Sequence, residues 1–557
     1  MTTASEAKST NYPALVTLIT VFFFWGFIAA GNSVFIPFCK FYFALDQFQS
    51  QLVDFAFYLS YFLGALGITW VSSLQGKDLI SSWGYQGTIV RGLWLSAFGA
   101  LVMIGMLLLR SYAGILTGLF VVGLGFSLQQ TAAQPLAIAL GDGSTGAARI
   151  SLGGGINSFG TAVGPLVVSL ALFGSPGALS DEAIQGLSLL KVVALYLVVG
   201  ALFAVAALLF HFSRHIPREY QESVLVDKVA SRVALGLALP VLLLFSVVLA
   251  TYHPIVERLL NQVQAWREWA RFLPLILVLV WIFGFVLWYL PRTIPSEGYR
   301  QALAFPQLRW GMLAIFVYVG VEVSIVSNLG ELLRQKNYGG LKVSEIAPIV
   351  TLYWGSLMMG RWAGAVAVFP LNKWRQRVFT AIMPILAFIV VLITIHLSGS
   401  NWRDFLSYWP FPLLLSFIFW ASDHKPARML ILLSLTGALL TFWFLSEARP
   451  EARWYIVATG LMCSVLWPCI FNLAVTDLGP ATPQGSAYLI MMILGGAIIP
   501  PLQGKLADLL RVYGWGSEAG IRYSYLLDLV GFAFLAFCGW VLSETLRHSK
   551  LHRSTPL

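Results

Sequence analysis

The chain is divided into continuous apolar stretches of about twenty residues, the length that an α-helix needs to cross the hydrocarbon core of a bilayer. Of its 557 residues, 58% are hydrophobic and only 11% are charged, with a mean hydropathy of +0.78. A soluble chain has about a quarter of its residues charged, so a cytosolic enzyme and a disordered protein are both excluded. A membrane β-barrel fits poorly because its strands alternate apolar and polar residues. The sequence predicts an all-α, polytopic membrane protein.

The predicted spans number about sixteen and are joined by short loops. They cover residues 14–38, 51–72, 87–109, 113–140, 148–174, 190–212, 233–251, 272–290, 308–330, 346–369, 377–397, 408–421, 428–446, 453–475, 485–508 and 523–544. Between the seventh and eighth spans, PIVERLLNQVQAWREWAR places apolar and charged residues at helical spacing. This pattern is typical of a short helix that lies on the membrane surface.

The formal charge of +10 would indicate a nucleic-acid partner in a soluble protein. In a membrane protein, an excess of Lys and Arg marks the cytoplasmic loops instead, and here these residues gather in the loops that share a side with the two termini. We therefore expect a multi-pass protein of the cell inner membrane with both termini in the cytoplasm. We expect the protein to be embedded in the lipid bilayer and to bind no nucleic acid.

No arrangement of residues in the sequence is typical of catalysis. The seven histidines are scattered over loops and span ends without a metal-ligand spacing. No Gly-rich loop ends in Lys-Ser or Lys-Thr, the pattern that would bind ATP. We expect neither an enzyme nor an ATP-driven pump, and no resident metal or cofactor.

Two stretches of the chain, over 134–165 and 467–501, share an order and spacing of Pro, Gly and polar residues. A weak internal repeat of this kind is a signature of secondary transporters, whose substrate site lies between two related halves. The sequence therefore favours a chain built from two similar halves.

Glu322 and Asp54 are acidic residues within predicted spans, where an ionisable side chain is expensive and therefore a candidate for function. Glu322 is in the middle of VYVGVEVSIVSNLGELL, and Asp54 is near one end of the second span. Burial favours the neutral form of a carboxyl group, which suits reversible proton binding. A structural acid, held in an ion pair or by a serine, remains the alternative for both.

The fourth span carries amide side chains that cannot all face lipid. Gln130 and Gln134 are four residues apart, so they share a helix face and can pair with hydroxyl groups. Asn157 follows three glycines in the fifth span, where helix packing and a cavity are equally good explanations. Aromatic rings beside such amides, among them Trp25, Tyr353 and Trp354, could stack on a sugar ring. Core packing remains open for each ring taken singly.

Several motifs together resemble those of the fucose:proton symporter family of the major facilitator superfamily, which includes bacterial fucose, glucose and galactose transporters. They are FFFWGFIAAGNSVFIPFCK, SWGYQGTIVRGL, LQQTAAQPLAIALG, INSFGTAVGPL, LYWGSLMMGRWAGA and LWPCIFNLAVTDLGPATPQGSAYLIMMILGGAIIPPLQGKLAD. SWGYQGTIVRGL resembles the family's cytoplasmic loop after the second span. The resemblance implies a major facilitator fold of two pseudo-symmetric six-helix bundles that imports monosaccharides with protons. It also implies that Asn32, Gln130, Gln134 and Asn157 line the sugar cavity.

The chain departs from the family at positions that matter for coupling. Ser33 replaces the Asp usual in the first span, Gln130 replaces a Glu found in many members, and Gly154 replaces a Gln. Proton coupling through those acids is therefore unavailable, and we assign it to Asp54 or Glu322. An uncoupled uniporter, or coupling to Na⁺, remains the alternative.

The resemblance also implies where the spans beyond the two six-helix bundles lie. About four of the sixteen predicted spans are extra transmembrane helices, and they form two pairs. One pair lies over roughly 230–292, and the other precedes KPARMLILLSLTGALLTFWFL, which resembles the family's ninth span. We expect both pairs to pack outside the transport core. The predicted units are a first bundle (1–212), an inserted hairpin with cytoplasmic segments (213–305), the start of the second bundle (306–370), a second inserted hairpin (371–425) and the rest of the second bundle (426–557).

The sequence thus predicts a monomeric secondary transporter that imports a monosaccharide or sugar derivative by alternating access, with the proton as coupling ion. The candidate sugar-binding residues are Asn32, Gln130, Gln134, Asn157, Trp25, Asn328, Tyr353 and Trp354, and the candidate proton-coupling residues are Asp54 and Glu322. Three alternatives stay open: an uncoupled sugar uniporter, a sugar sensor, and a transporter of a larger solute such as a cell-wall fragment.

Overall fold

The structure is a computed structural model that describes residues 9–43, 47–173, 187–217, 229–260, 264–294 and 302–554. Within some helices, side chains also lie outside the described set, including those of Asn32, Ser33 and Asp54. The described residues are almost entirely helical, and none of them forms a β-strand. The expectation of an all-α chain is thereby confirmed.

The first half of the chain contains six long helices. They are α1 (Tyr12–Tyr42), α2 (Gln47–Gln75), α3 (Leu79–Leu108), α4 (Tyr112–Ala139), α5 (Gly146–Phe173) and α6 (Leu189–Phe212). An inserted group follows, formed by α7 (Val229–Ala250), the short α8 (Pro254–Leu260) and α9 (Gln264–Gly284), which continues through Phe285–Tyr289 to Leu290–Thr293.

The second half begins with α10 (Pro306–Leu333) and α11 (Val343–Ala365). A second inserted pair, α12 (Lys373–Leu397) and α13 (Pro410–Ser422, preceded by a 3-10 helix over Trp402–Tyr408), comes next. The remaining helices are α14 (Pro426–Ser446), α15 (Arg453–Cys463), α16 (Leu466–Val475), α17 (Thr482–Met491), α18 (Gly495–Leu510), α19 (Gly516–Ser524) and α20 (Leu526–Ser554).

Each predicted span lies on one of these helices or on two that follow each other directly. Among the described residues, twelve helical stretches are long and apolar enough to cross a membrane, and one of them, Gly479–His548, contains two predicted spans. The segment SWGYQGTIVRGL, whose sequence resembles a loop of the family, lies within α3, which begins before the predicted span over 87–109. Asp78 caps the start of α3 by accepting a 2.7 Å hydrogen bond from the Ser81 amide. The helix then kinks at Gly84, whose φ of 69° a glycine adopts easily.

The same close helix contact occurs once in each half. In the first half α1 approaches α5 so closely that a Cβ on Gly26 would lie 1.9 Å from the Asn157 carbonyl oxygen. In the second half α10 approaches α18 in the same way, and a Cβ on Gly495 would lie 1.9 Å from the Phe316 carbonyl oxygen. Small residues permit such backbone contact between membrane helices. The repeat seen in the sequence therefore corresponds to a repeated helix contact.

The two inserted pairs occupy different places. The second pair packs on the outside of α11, where Gly355 contacts Val391 of α12. The first pair lies between the halves: α7 packs on α2, with the Phe55 and Phe245 rings 5.5 Å apart, and α9 packs on α18. The expectation that both pairs pack outside the transport core is wrong for α7 and α9, because they form part of a cavity wall.

Candidate functional site: a cavity between the two halves

A cavity of about 760 Å³ lies between the two halves of the bundle. Its wall is formed by α2 from the first half, by α10, α11, α18 and α19 from the second half, and by the inserted α7 and α9. Side chains that line it include Tyr58, Tyr252, Arg271, Asn328, Trp354 and Lys505. The cavity lies at the end of the bundle where α2 begins and α10 ends. We call this the open end, and the end where α1 begins and α20 ends the closed end.

Ion pairs surround the cavity at its open end. The Arg271 guanidinium is 3.2 Å from a Glu257 carboxylate oxygen and 3.9 Å above the centre of the Tyr252 ring. Lys505 on α18 lies 3.0 Å from Glu268 of α9 and 2.5 Å from Asp508 of its own helix. The Lys505–Glu268 pair joins the inserted hairpin to the second half at the cavity wall.

A second charged pair lies deeper, toward the closed end. Glu322 precedes the cavity-lining Val326 by one helical turn on α10, and its carboxylate is 3.5 Å from the Arg361 guanidinium of α11. Both side chains are nearly buried, with 12% and 14% of their surfaces exposed. The Tyr353 hydroxyl donates a 2.7 Å hydrogen bond to the Glu322 backbone carbonyl. A nearly buried pair of opposite charges is therefore held at the base of the cavity.

Arg361 also connects the two halves. Its Nη1 donates to the Ser158 hydroxyl of α5 at 2.8 Å, and its Nε donates to the Ser464 carbonyl at 3.1 Å. The neighbouring Trp362 donates to the Gly155 carbonyl at 3.3 Å. The guanidinium therefore contacts one carboxylate in its own half and one helix of the other half.

Further hydrogen bonds between the halves lie toward the closed end. The Ser486 hydroxyl of α17 donates to the Thr131 carbonyl of α4 at 2.7 Å, and the Tyr12 hydroxyl donates to the Val368 carbonyl at 3.1 Å. Together with the contacts of α5 and α11, they join the halves at one end while the cavity separates them at the other. This is the geometry of one state of an alternating-access transporter.

Two of the predicted sugar-binding residues, Asn328 and Trp354, line the cavity. Two others are half-buried in contacts between helices of the first half. Gln130 donates a 3.0 Å hydrogen bond to the Tyr61 hydroxyl, and Asn157 donates a 3.1 Å hydrogen bond to the Phe22 carbonyl. Their roles as sugar ligands stay predictions.

The remaining candidates are more deeply buried. Trp25 donates to Gln129 at 2.8 Å, and Gln129 donates in turn to the Ser96 hydroxyl at 3.0 Å, so these side chains join α1, α4 and α3. Gln134 is buried, with an amide oxygen that has no hydrogen-bond partner, and Tyr353 is buried against Glu322. The side chains of Asn32 and Asp54 lie outside the described residues, and their assignments also stay predictions.

Arg361 and Asp528 are two of the charged residues that lie within predicted spans but were not among the predicted site residues. Arg361 is within 346–369, and Asp528, which is fully buried at the start of α20, is within 523–544. Both carried the signal that singled out Glu322, a charged side chain inside an apolar stretch. Among the described residues, no group of three or more His, Cys, Asp or Glu side chains is placed to hold a metal ion.

Comparisons with known proteins agree with this architecture. No family model matches the chain. The glucose/galactose transporter of Brucella abortus is 27% identical over 98% of this chain and 97% of its own length. The L-fucose-proton symporter of Escherichia coli is 22% identical over 91% and 89% of the two chains. A solved structure of the E. coli fucose:proton symporter has a TM-score of 0.59 at 19% identity, over 95% of this chain and 98% of that one.

The chain shares the major facilitator fold with this solved symporter, and the curated relatives that match nearly its whole length are transporters and not enzymes. Its relatives include glucose/galactose transporters and fucose-proton symporters. The resemblance predicted from the sequence motifs is thereby confirmed.

Proposed function

We propose that the chain imports a monosaccharide or sugar derivative by alternating access, coupled to a proton that Glu322 binds. The names of its relatives support a sugar as substrate. The observation that supports the coupling most is the Glu322–Arg361 pair, because it joins a nearly buried carboxylate to a contact between the halves. No resident cofactor is needed for this reaction.

The coupling follows from the charges of the two side chains. While Glu322 is ionised, Arg361 has a counter-charge within its own half. Proton uptake by Glu322 removes that counter-charge and leaves the guanidinium with the Ser158 hydroxyl of α5 and the Ser464 carbonyl, just after α15, as partners. Charges interact more strongly where the dielectric constant is low. The loss of one charge beside Arg361 therefore changes the strength of its remaining hydrogen bonds. The protonation of one carboxyl group is thus linked to the contact that holds the closed end together.

The cavity offers the side chains that a sugar requires. Trp354 and Tyr58 present aromatic surface for the apolar face of a sugar ring, and Asn328 presents an amide for its hydroxyl groups. Gln130, Gln134, Asn157 and Asn32 belong to the first half, and we propose that they contact the sugar when the halves close around it. Asp54 is the second candidate for the coupled proton.

The direction of transport depends on how the chain lies in the inner membrane. With both termini in the cytoplasm, as the loop charges indicate, the open end faces the outside and the cavity receives solute from there. We propose that the chain works in this orientation as a monomer.

A larger solute is the second candidate substrate, and the inserted hairpin is the observation that favours it. Phe245, Tyr252, Arg271 and Leu275 of the first inserted group all line the cavity. A volume of about 760 Å³ is within the range of roughly 300–1,000 Å³ that drug-sized ligands occupy. A disaccharide or a cell-wall fragment therefore has room beside the aromatic residues.

Uptake by proteoliposomes tests the proposal. The purified chain is tested with labelled glucose, galactose, fucose, a disaccharide and a muropeptide, with and without an imposed proton gradient. We expect the gradient to drive accumulation of a monosaccharide, and Glu322→Gln to abolish accumulation while preserving sugar exchange. Glu544→Gln, which changes a surface carboxylate of α20, is the matched control. Accumulation by Glu322→Gln at the wild-type level would refute the coupling, and uptake of the muropeptide alone would favour the larger solute.

A further inference from the structure

Asp528 is a buried carboxyl group to which the proposed mechanism gives no role. It lies in the first turn of α20 with none of its surface exposed, and neither carboxyl oxygen accepts a hydrogen bond from a described residue. Among the described residues, the titratable side chains in electrostatic contact with it are Tyr353, Cys463 and Tyr525, none of which is a cation. This environment contrasts with that of Glu322, which faces Arg361.

An ionised carboxylate in such a place is strongly unfavourable. A buried charge is tolerated only when a counter-charge or several hydrogen bonds compensate for lost hydration, and the described residues provide neither. A neutral carboxyl group costs far less to bury. Asp528 is therefore expected to carry a proton in this state of the protein.

A chain of polar side chains connects Asp528 to the cavity. Ser324 of α10 lies next to the Asp528 carboxyl group. Its hydroxyl donates a hydrogen bond to the Gln503 amide oxygen. Asn328, which lines the cavity, donates to the same oxygen at 2.9 Å and to the Ser324 carbonyl at 3.0 Å. The Gln503 amide nitrogen is buried without a hydrogen-bond partner. The Asp528 carboxyl group and the Gln503 amide nitrogen thus belong to one buried polar cluster.

We propose that Asp528 is a second proton-binding site, occupied while the cavity is open at this end and connected to the substrate through Ser324, Gln503 and Asn328. The neutral acid keeps its proton and donates a hydrogen bond to the Ser324 oxygen, while the Ser324 hydroxyl donates its own hydrogen bond to Gln503. When Asp528 releases its proton toward the cavity, its carboxylate becomes an acceptor and the Ser324 hydroxyl turns to it. Gln503 then loses a donor, and the cavity-facing Asn328 gains freedom to rotate.

The role in transport rests on the proposed function, whereas the proton site itself does not. Infrared spectroscopy of the purified protein, without sugar or a gradient, therefore tests the site separately. A protonated carboxyl group absorbs in a region that carboxylates leave empty. At neutral pH we expect the wild type to show one such band that Asp528→Asn removes. Glu544→Gln, on the exposed surface of the same helix, should leave the band unchanged.

Ser324→Ala provides an independent test that does not require Asp528→Asn to fold. Loss of the hydroxyl acceptor should shift the carboxyl band to higher frequency without removing it. The proposal is overturned if no band is sensitive to Asp528, if Ser324→Ala leaves the band in place, or if adding Na⁺ removes the band, since the site would then bind a metal cation. A band that behaves as expected in a protein that transports no sugar would refute the proposed function alone.

Discussion

Arg361 of α11 donates a 2.8 Å hydrogen bond to the Ser158 hydroxyl of α5, and these residues belong to opposite halves of the transporter. The same guanidinium is 3.5 Å from the Glu322 carboxylate. One side chain therefore contacts both an acid of its own half and a helix of the other half. In the function that we propose, this contact couples the proton to the conformational change.

Removing the Ser158 hydroxyl should loosen the closed end. A hydrogen bond to a charged group contributes about 1.5–3 kcal/mol, so Ser158→Ala should increase opening at that end by about tenfold or more. The measurement is the rate at which a thiol reagent labels a cysteine introduced by Asn472→Cys, a buried position toward the closed end.

The matched control for that experiment is Ser151→Ala on the same helix. The Ser151 hydroxyl donates to the Ala147 carbonyl of its own helix α5, so its loss should leave the labelling rate near that of the parent protein. Equal labelling rates in the two serine variants would mean that the Arg361–Ser158 bond does not hold the halves together.

Asn328 and Trp354 should contribute to sugar affinity because both line the cavity. Loss of one neutral hydrogen bond, worth about 1 kcal/mol, corresponds to roughly fivefold weaker binding for Asn328→Ala. Trp354→Ala removes a large aromatic surface and should weaken binding by about tenfold or more. Calorimetric titration with the transported sugar measures both. Trp374→Ala, at an exposed position on α12, should bind as the wild type does, and equal affinity for all three variants would exclude this surface as the sugar site.

The Lys505–Glu268 pair should fix the inserted hairpin on the second half. Glu268 is almost completely buried and has Arg267 and Lys505 as partners, so Glu268→Gln should lower Tm and release α9 from α18. A double-mutant cycle with Lys505→Gln should give a coupling energy above about 0.5 kcal/mol. The exposed pair of Glu447 and Arg449 is the comparison, and Glu447→Gln should change Tm little. A zero coupling energy would show that apolar packing alone positions the hairpin.

His424, between α13 and α14, should make stability depend on pH. Burial lowers the pKa of His424 from 6.5, and its ring lies 3.3 Å from the Thr380 hydroxyl. Below about pH 6.5, His424 therefore binds a proton more readily in the unfolded chain than in the folded chain. The contribution of His424 to the free energy of unfolding is constant above about pH 6.5 and falls as the pH drops below it. Tm measured between pH 5 and pH 8 should show this fall, and His424→Gln should reduce it. An unchanged pH profile in the variant would assign the fall to other groups.

The length and apolarity of the spans were sufficient to predict the helices, because a bilayer imposes both on any chain that crosses it. The sequence also showed the internal repeat and the position of Glu322 within an apolar span. The partner of Glu322 was not, since Arg361 is 39 residues away and Ser158 lies in the other half. The sequence likewise did not predict which helices two adjacent residues of α4 contact. Gln129 bonds toward α1 and α3 while Gln130 bonds toward α2, a difference that only helix packing determines.

The position of the inserted hairpin was the main expectation that the structure overturned. Apolar helices in a membrane gain little from hydrophobicity by choosing one neighbour over another, because lipid is equally apolar. The contacts that place α7 and α9 are specific instead: the Phe55–Phe245 ring contact and the Glu268–Lys505 ion pair. Such pairs connect distant parts of the chain, and no local pattern in the sequence reports them.

The most direct test of the central claim is to record proton movement driven by the sugar itself. Vesicles that contain the transporter are suspended in weakly buffered medium, and external pH is followed when the transported sugar is added without any imposed gradient. The wild type should raise the external pH as protons enter with sugar. Glu322→Gln should take up sugar down its gradient with no pH change. Sugar-driven alkalinisation that persists in Glu322→Gln would contradict the assignment of coupling to the Glu322–Arg361 pair.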